Sequence, residues 1–179
     1  MRKLFLGMIL MLLAFASQAQ QMLPADQVLK EASALAAKEQ KNVFLMFHAS
    51  WCGWCHKMDM AMNDAACKNA FEKNYVIRHI TVKEYGDKKS TENPGGMELL
   101  TKYHGEKEGI PFWLVFQPDG KLLADSRMKG ADGLLHNIGC PAQPEEIAHF
   151  LEILKASSHM SATELTAVEK RFGEIARHN

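Results

Sequence analysis

An excess of charge is what this 179-residue sequence most plainly lacks, with 21 Lys and Arg set against 21 Asp and Glu. Without a basic run or a low-complexity segment, it offers no electrostatic footprint for nucleic acid. There is no internal repeat. Long apolar runs are missing too: the longest, residues 4–15, is shorter than the ~20 residues a membrane-spanning helix needs. That run follows Arg2 and Lys3 and leads to Ser17-Gln18-Ala19, the pattern of a secretory signal peptide over residues 1–19, cut after Ala19. No cysteine lies near the cut, so a lipid-modified N-terminus is not expected. Residues 20–179 then make a slightly acidic chain, long enough for one domain with its own core. Export, to a periplasm or beyond the cell, places it where disulfides persist.

Cysteine is also scarce, at four residues, and two of the four sit together in Trp51-Cys52-Gly53-Trp54-Cys55. The apolar run of residues 43–47 leads directly into this motif and reads as a strand buried on both faces. A helix is expected to open at Gly53 and run to about Met62. Residues i and i+3 share one helix face, close enough for the ~4.4–6.8 Å Cα separation of a disulfide. Cys52 would stand at the helix N-terminus, where free amides and the positive dipole end stabilise a thiolate. It is the expected nucleophile, and Cys55 the residue that resolves the mixed disulfide.

Other readings of these residues have less behind them. Cys52-Gly53-Trp54-Cys55-His56 also matches the C-x-x-C-H signature of covalent haem attachment, but a buried strand running straight into the motif does not suit it. A zinc site needs four ligands, and only Cys67 and Cys140 stand apart as further thiolates. Met58, Met60 and Met62 could suggest soft ligands for Cu(I), yet residues two apart on a helix point to different sides, so core packing is the better account. Cys67 and Cys140 are left open by their spacing, as a second disulfide or as buried or free thiols.

Along the rest of the chain, apolar spacing predicts helices over residues 24–38, 65–73 and 97–103, and a strand over 75–82. Residues 83–96 read as a surface loop. Strands over 112–116 and 121–126 are joined across Gln117-Pro118-Asp119-Gly120, a hairpin turn. Residues 129–143 read as a second long loop. Pro144 suits the first position of an amphipathic helix running to residue 156. Ser161 with Glu164 resembles a capping box that opens a final helix to about Arg177. The order α-β-α-β-α-β-β-α-α implies helices covering a mixed central sheet, an α/β architecture.

Three features together resemble the thioredoxin superfamily: Trp-Cys-Gly-x-Cys after a buried strand, Gly109-Ile110-Pro111 before the next apolar strand, and a hairpin followed by a helix. The segment Trp51-Cys52-Gly53-Trp54-Cys55-His56-Lys57-Met58 is most similar to exported bacterial members. The resemblance covers residues 24–157 and sets domain bounds at 20–160, leaving 161–179 as a helical extension that a minimal thioredoxin lacks. It implies a cis Pro111 packed against the redox pair, with the Ile110 backbone aligning an extended substrate. Trp51, Gly53, Trp54 and His56 would frame the sulfurs. It further implies a thiol–disulfide oxidoreductase, more a reductase than an oxidant, working on protein thiols and disulfides as a monomer. A membrane electron donor would serve it, and no cofactor is needed beyond the Cys52–Cys55 disulfide. One departure stands out. Many thioredoxins carry a buried Asp six residues before the first cysteine, and here that position is Met46, leaving His48, His56 or Glu84 as possible bases. A peptide-binding or chaperone-like module with a permanently closed disulfide is the alternative on the same scaffold.

Overall fold

The computed structural model describes residues 22–176, so the expected signal segment lies outside the described residues, while the last helix ends at Gly173, short of the expected Arg177. The organising element is β1 (Asn42–His48), whose five inner residues are all buried. Alternate side chains of a strand point to opposite faces. Val43, Leu45 and Phe47 enter one core with α1 (Ala25–Glu39) and α4 (Gly96–Lys102). Phe44 and Met46 enter a second core with α2 (Gly53–Met62), α3 (Lys68–Asn74), α5 (Pro144–Ser157) and α6 (Ala162–Gly173). Burial on both faces is why this stretch reads as an unbroken apolar run rather than an alternating one.

The main sheet has the order β2-β1-β3-β4, with β2 (Tyr75–Thr81) parallel to β1 and β3 (Phe112–Phe116) antiparallel to it. A parallel neighbour needs a crossover connection, and α2 and α3 supply it. The antiparallel hairpin to β4 (Leu122–Asp125) closes through Gln117-Pro118-Asp119-Gly120, where Gly120 takes a positive φ of 86°. This mixed sheet with helices on both faces is the α/β architecture expected from the sequence.

Four details differ. Residues 129–143 are not simply a loop: β5 (Arg127–Lys129) and β6 (Leu135–Asn137) form a second, two-stranded sheet. Strands of three residues are too short to show a period, so the pattern was invisible. The loop over 83–96 contains a 3-10 turn at Gly86–Thr91. Helix α3 begins at Lys68 rather than residue 65, because the chain first turns through residues 63–67. Met58 and Met62 are buried as expected, but Met60 is 65% exposed and takes no part in the core.

The final helix is integral to the packing. Rings run from Phe44 to Trp113 (5.4 Å), to Phe150 on α5 (5.3 Å) and to Phe172 on α6 (5.2 Å). The Ser161 and Glu164 capping box opens α6 as the spacing suggested. Replacing Phe172 by Ala is expected to cost about 3–5 kcal/mol in urea unfolding. Met60→Ala on the solvent side of α2 should stay within about 0.5 kcal/mol of the parent.

Candidate active site

β1 ends at His48, and the chain reaches α2 through a tight turn in which the Cys52 amide donates to the Ala49 carbonyl at 3.0 Å. Cys52 is the N-cap of α2 and has extended backbone geometry. The Cys55 amide donates to Cys52 Sγ at 3.1 Å, and the His56 amide to the Cys52 carbonyl at 3.2 Å. No acidic residue stands in the first turn, so the positive end of the helix is left uncompensated beside the sulfur. Cys52 and Cys55 are joined as a disulfide with Cα atoms 5.3 Å apart. Cys52 keeps 3% of its surface exposed and Cys55 none, so an incoming sulfur can reach only the first of the pair.

Facing the pair is the loop before β3. The Ile110–Pro111 peptide is cis, Ile110 packs against the small buried cluster of Ala49, Cys52 and Cys55, and the Ile110 carbonyl oxygen lies 3.4 Å from Cys52 Sγ. Trp51 and Trp54 flank the sulfurs and are 47% and 44% exposed. Both are surface rings. The Trp51 indole nitrogen donates to the Lys83 carbonyl at 2.8 Å, and its ring lies 5.2 Å from that of Tyr85. Lys57 places its ammonium 4.5 Å from the Trp54 ring centroid. Beside Trp54 and Pro111 opens a groove of about 300 Å³, lined also by Asn137, Gly139, Cys140 and Glu146.

The candidate bases are committed to other partners. His56 Nε2 lies 3.0 Å from the Ser50 carbonyl oxygen, and His48 Nε2 lies 3.2 Å from Thr81 Oγ1. Burial lowers the His48 pKa below its ordinary 6.5, and the neighbouring His79 ring lowers it further. Buried Glu84 accepts from the Ser50 amide at 2.6 Å and the Ser50 hydroxyl at 2.9 Å, while Lys88 donates to the same hydroxyl at 3.0 Å. Glu84 thus anchors the turn that carries Trp51 and Cys52. Met46 is buried in the strand, as its place in the apolar run required.

Three contributors carried no signal in the sequence. Ser50 and Lys83 look like ordinary loop residues. Lys83 has a left-handed φ of 56°, and its ammonium donates to the carbonyls of Glu106 and Glu108 at 3.2 and 2.6 Å. Asn137 lies in the hairpin that read as loop, and its amide reaches the carbonyls of Gly109 and Pro111. Their partners are distant in sequence, so no local spacing reveals them.

Cys67 and Cys140 are free, buried thiols. Burial pushes the Cys67 pKa up to about 11 and that of Cys140 up to about 12. Among the described residues, no group of three or more His, Cys, Asp or Glu is placed to hold a metal ion. No helix among them is long and apolar enough to cross a membrane.

The sequence matches a protein family described as thioredoxin-like over residues 25–118. A protein disulfide-isomerase from Triticum aestivum is 28% identical over 101 residues, which are 56% of this chain and 17% of that protein. The chain therefore spans under a fifth of that relative's length. A disulphide isomerase from Xylella fastidiosa superposes with a TM-score of 0.49 at 20% identity, covering 90% of this chain and 95% of the other. The C-terminal domain of DsbD from Neisseria meningitidis, in its oxidised form, gives 0.46 at 23% identity, covering 76% and 98%.

Thiol counting tests the cysteine arrangement. Oxidised folded protein at pH 7 should show no thiol reacting with Ellman's reagent within minutes, since both free thiols are buried and protonated. Unfolding without reductant should release the thiols of Cys67 and Cys140 alone. A fast-reacting thiol in the folded oxidised protein would contradict the assignment.

Proposed function

The chain belongs to the thioredoxin-like family, and from that premise we propose that it is an exported thiol–disulfide oxidoreductase that reduces disulfides in protein substrates. The observation that carries this reading is the setting of Cys52. Its sulfur sits at the N-terminus of α2, accepts the Cys55 amide hydrogen, and faces the backbone of Ile110 across 3.4 Å.

In the reduced protein the Cys52 thiolate attacks one sulfur of a substrate disulfide. A Cys52–substrate bond forms, the substrate's own S–S bond breaks, and one substrate thiolate leaves and takes a proton from water. Cys55, having lost its proton to water, then attacks Cys52 Sγ. The Cys52–Cys55 bond forms and the second substrate thiolate is released, so two electrons pass from the pair to the substrate. Met46 carries no titratable group, and His48, His56 and Glu84 are engaged with other partners, so the proposal gives this role to water. Resetting the pair requires an external dithiol, which for an exported protein is a membrane electron donor. The pair stores both electrons, so the proposal includes no metal, flavin or haem.

Substrate would lie extended along Ile110 and Pro111 and hydrogen-bond to the loop as an added strand. Trp51 and Trp54 would close its sides, with Gly53 giving the backbone room between them and His56 bordering the turn at Ser50. The reductive direction rests on the thiolate's surroundings. Among the described residues, Cys52 Sγ has one amide donor and no hydrogen-bonded cation. A strong oxidant depends on a highly stabilised thiolate, and a single amide donor without a hydrogen-bonded cation supports the reductive reading instead. The signal-like residues 1–19 support export to a periplasmic or extracellular space, and the protein is proposed to act there as a monomer without nucleic-acid partners.

Trapping with a disulfide-linked peptide tests the roles of the two cysteines. Cys55→Ser should accumulate a stable mixed disulfide on Cys52. Cys52→Ser should form almost none, because Cys55 is fully buried. Equal adducts from both variants would overturn the assignment of roles. The absence of any adduct would favour a binding module with a permanently closed disulfide.

A further inference from the structure

The Ile110–Pro111 segment is not held in place by the main sheet, since β3 begins only at Phe112. Two side chains grip it instead. Lys83 takes the carbonyls of Glu106 and Glu108 from one side. Asn137 approaches from the other: its Nδ2 donates to the Gly109 carbonyl at 2.7 Å and to the Pro111 carbonyl at 3.0 Å. Its Oδ1 accepts the Gly139 amide at 3.1 Å, and its backbone N–H donates to Glu108 Oε2 at 3.3 Å. Both amide hydrogens and the amide oxygen are thus engaged, and the reversed amide would set oxygen against two carbonyls.

The clamp is itself tied to the core. The Gly139 carbonyl accepts from Trp113 Nε1 at 2.9 Å, and the Ile138 amide donates to the Ser126 carbonyl at 2.9 Å. Asn137 therefore takes the carbonyls on either side of Ile110 and leaves Ile110 itself open. Among the described residues the Ile110 N–H makes no hydrogen bond, and the Ile110 carbonyl meets only Cys52 Sγ, at 3.4 Å. An unpaired backbone edge held at a fixed distance from a sulfur is a template for one extended chain.

We propose that Asn137, carried on the β5–β6 hairpin, is the positioning residue that presents the Ile110 backbone edge to protein substrates. The hairpin thereby adds a determinant of substrate affinity to the site. This rests on the oxidoreductase reading given above. Asn137 touches neither sulfur, so it acts through the loop and bears on how an extended substrate binds rather than on sulfur exchange.

The test is single-turnover oxidation of pre-reduced protein, followed by Trp51 and Trp54 fluorescence. Insulin serves as the protein disulfide and hydroxyethyl disulfide as a small one with no backbone to pair. For Asn137→Ala and the equally sized Asn137→Asp, the half-saturating insulin concentration should rise about tenfold, roughly the worth of one net hydrogen bond. The limiting rate should change less than about twofold, the signature of lost binding rather than lost chemistry. The preference for insulin over hydroxyethyl disulfide should fall by the same factor of about ten. Unchanged half-saturation in both variants would overturn the role of Asn137 while leaving the enzyme reading intact. Equal losses on both substrates would overturn it as well. Failure of both variants to fold would reassign Asn137 to stability. A parent protein that oxidises with neither disulfide would remove the oxidoreductase reading and this proposal with it.

Discussion

Where β1 stops decides where the chemistry sits. The strand is buried on both faces and flanked by β2 and β3, so it holds its direction until His48. Only there does the chain leave the sheet, and it has four residues in which to turn before α2 begins at Gly53. Cys52 falls at the helix N-terminus as a consequence of that geometry. The first sulfur gains an amide donor and a favourable dipole, while the second is carried one turn down into the core. Had the strand been half exposed, its end could shift, and the sulfur would lose its fixed relation to the loop before β3.

Opposing this rigid side is a loop that owes its position to side chains. Glu84 fixes Ser50 and Lys83 fixes the Trp51 indole on the cysteine side of the site. Lys83 and Asn137 fix residues 106–111 on the other. Lys83 therefore reaches both walls, with its carbonyl on Trp51 and its ammonium on the proline loop. These contacts join residues far apart in the chain, and each leaves the reacting sulfur untouched. The site is two walls set at a separation, with the Ile110 carbonyl oxygen 3.4 Å from Cys52 Sγ.

What could be read from the sequence was whatever had a local physical cause. An apolar run gave β1, an i to i+3 cysteine spacing gave the disulfide, and Ser161 with Glu164 gave the start of α6. The strands β5 and β6 were illegible because three residues cannot display a period. The outward turn of Met60 follows from the same spacing, since residues two apart on a helix point to different sides, and core packing holds only for Met58 and Met62. Glu84 was expected as a possible base, and its role as the anchor of the turn came into view only with its partner Ser50, 34 residues away. The final helix read as an extension because it lies beyond the resemblance, yet Phe172 packs into the same aromatic chain as Phe44.

The central claim is that Cys52 and Cys55 form a working redox couple, and an equilibrium titration of the protein against a thiol–disulfide buffer addresses it directly. Trp51 and Trp54 adjoin the pair, so their emission reports its state. The account predicts a reversible two-electron transition with a midpoint nearer the ~−270 mV of thioredoxin than the ~−120 mV of a strong oxidant. No reversible transition anywhere across that range would contradict it, and leave the disulfide as a structural crosslink.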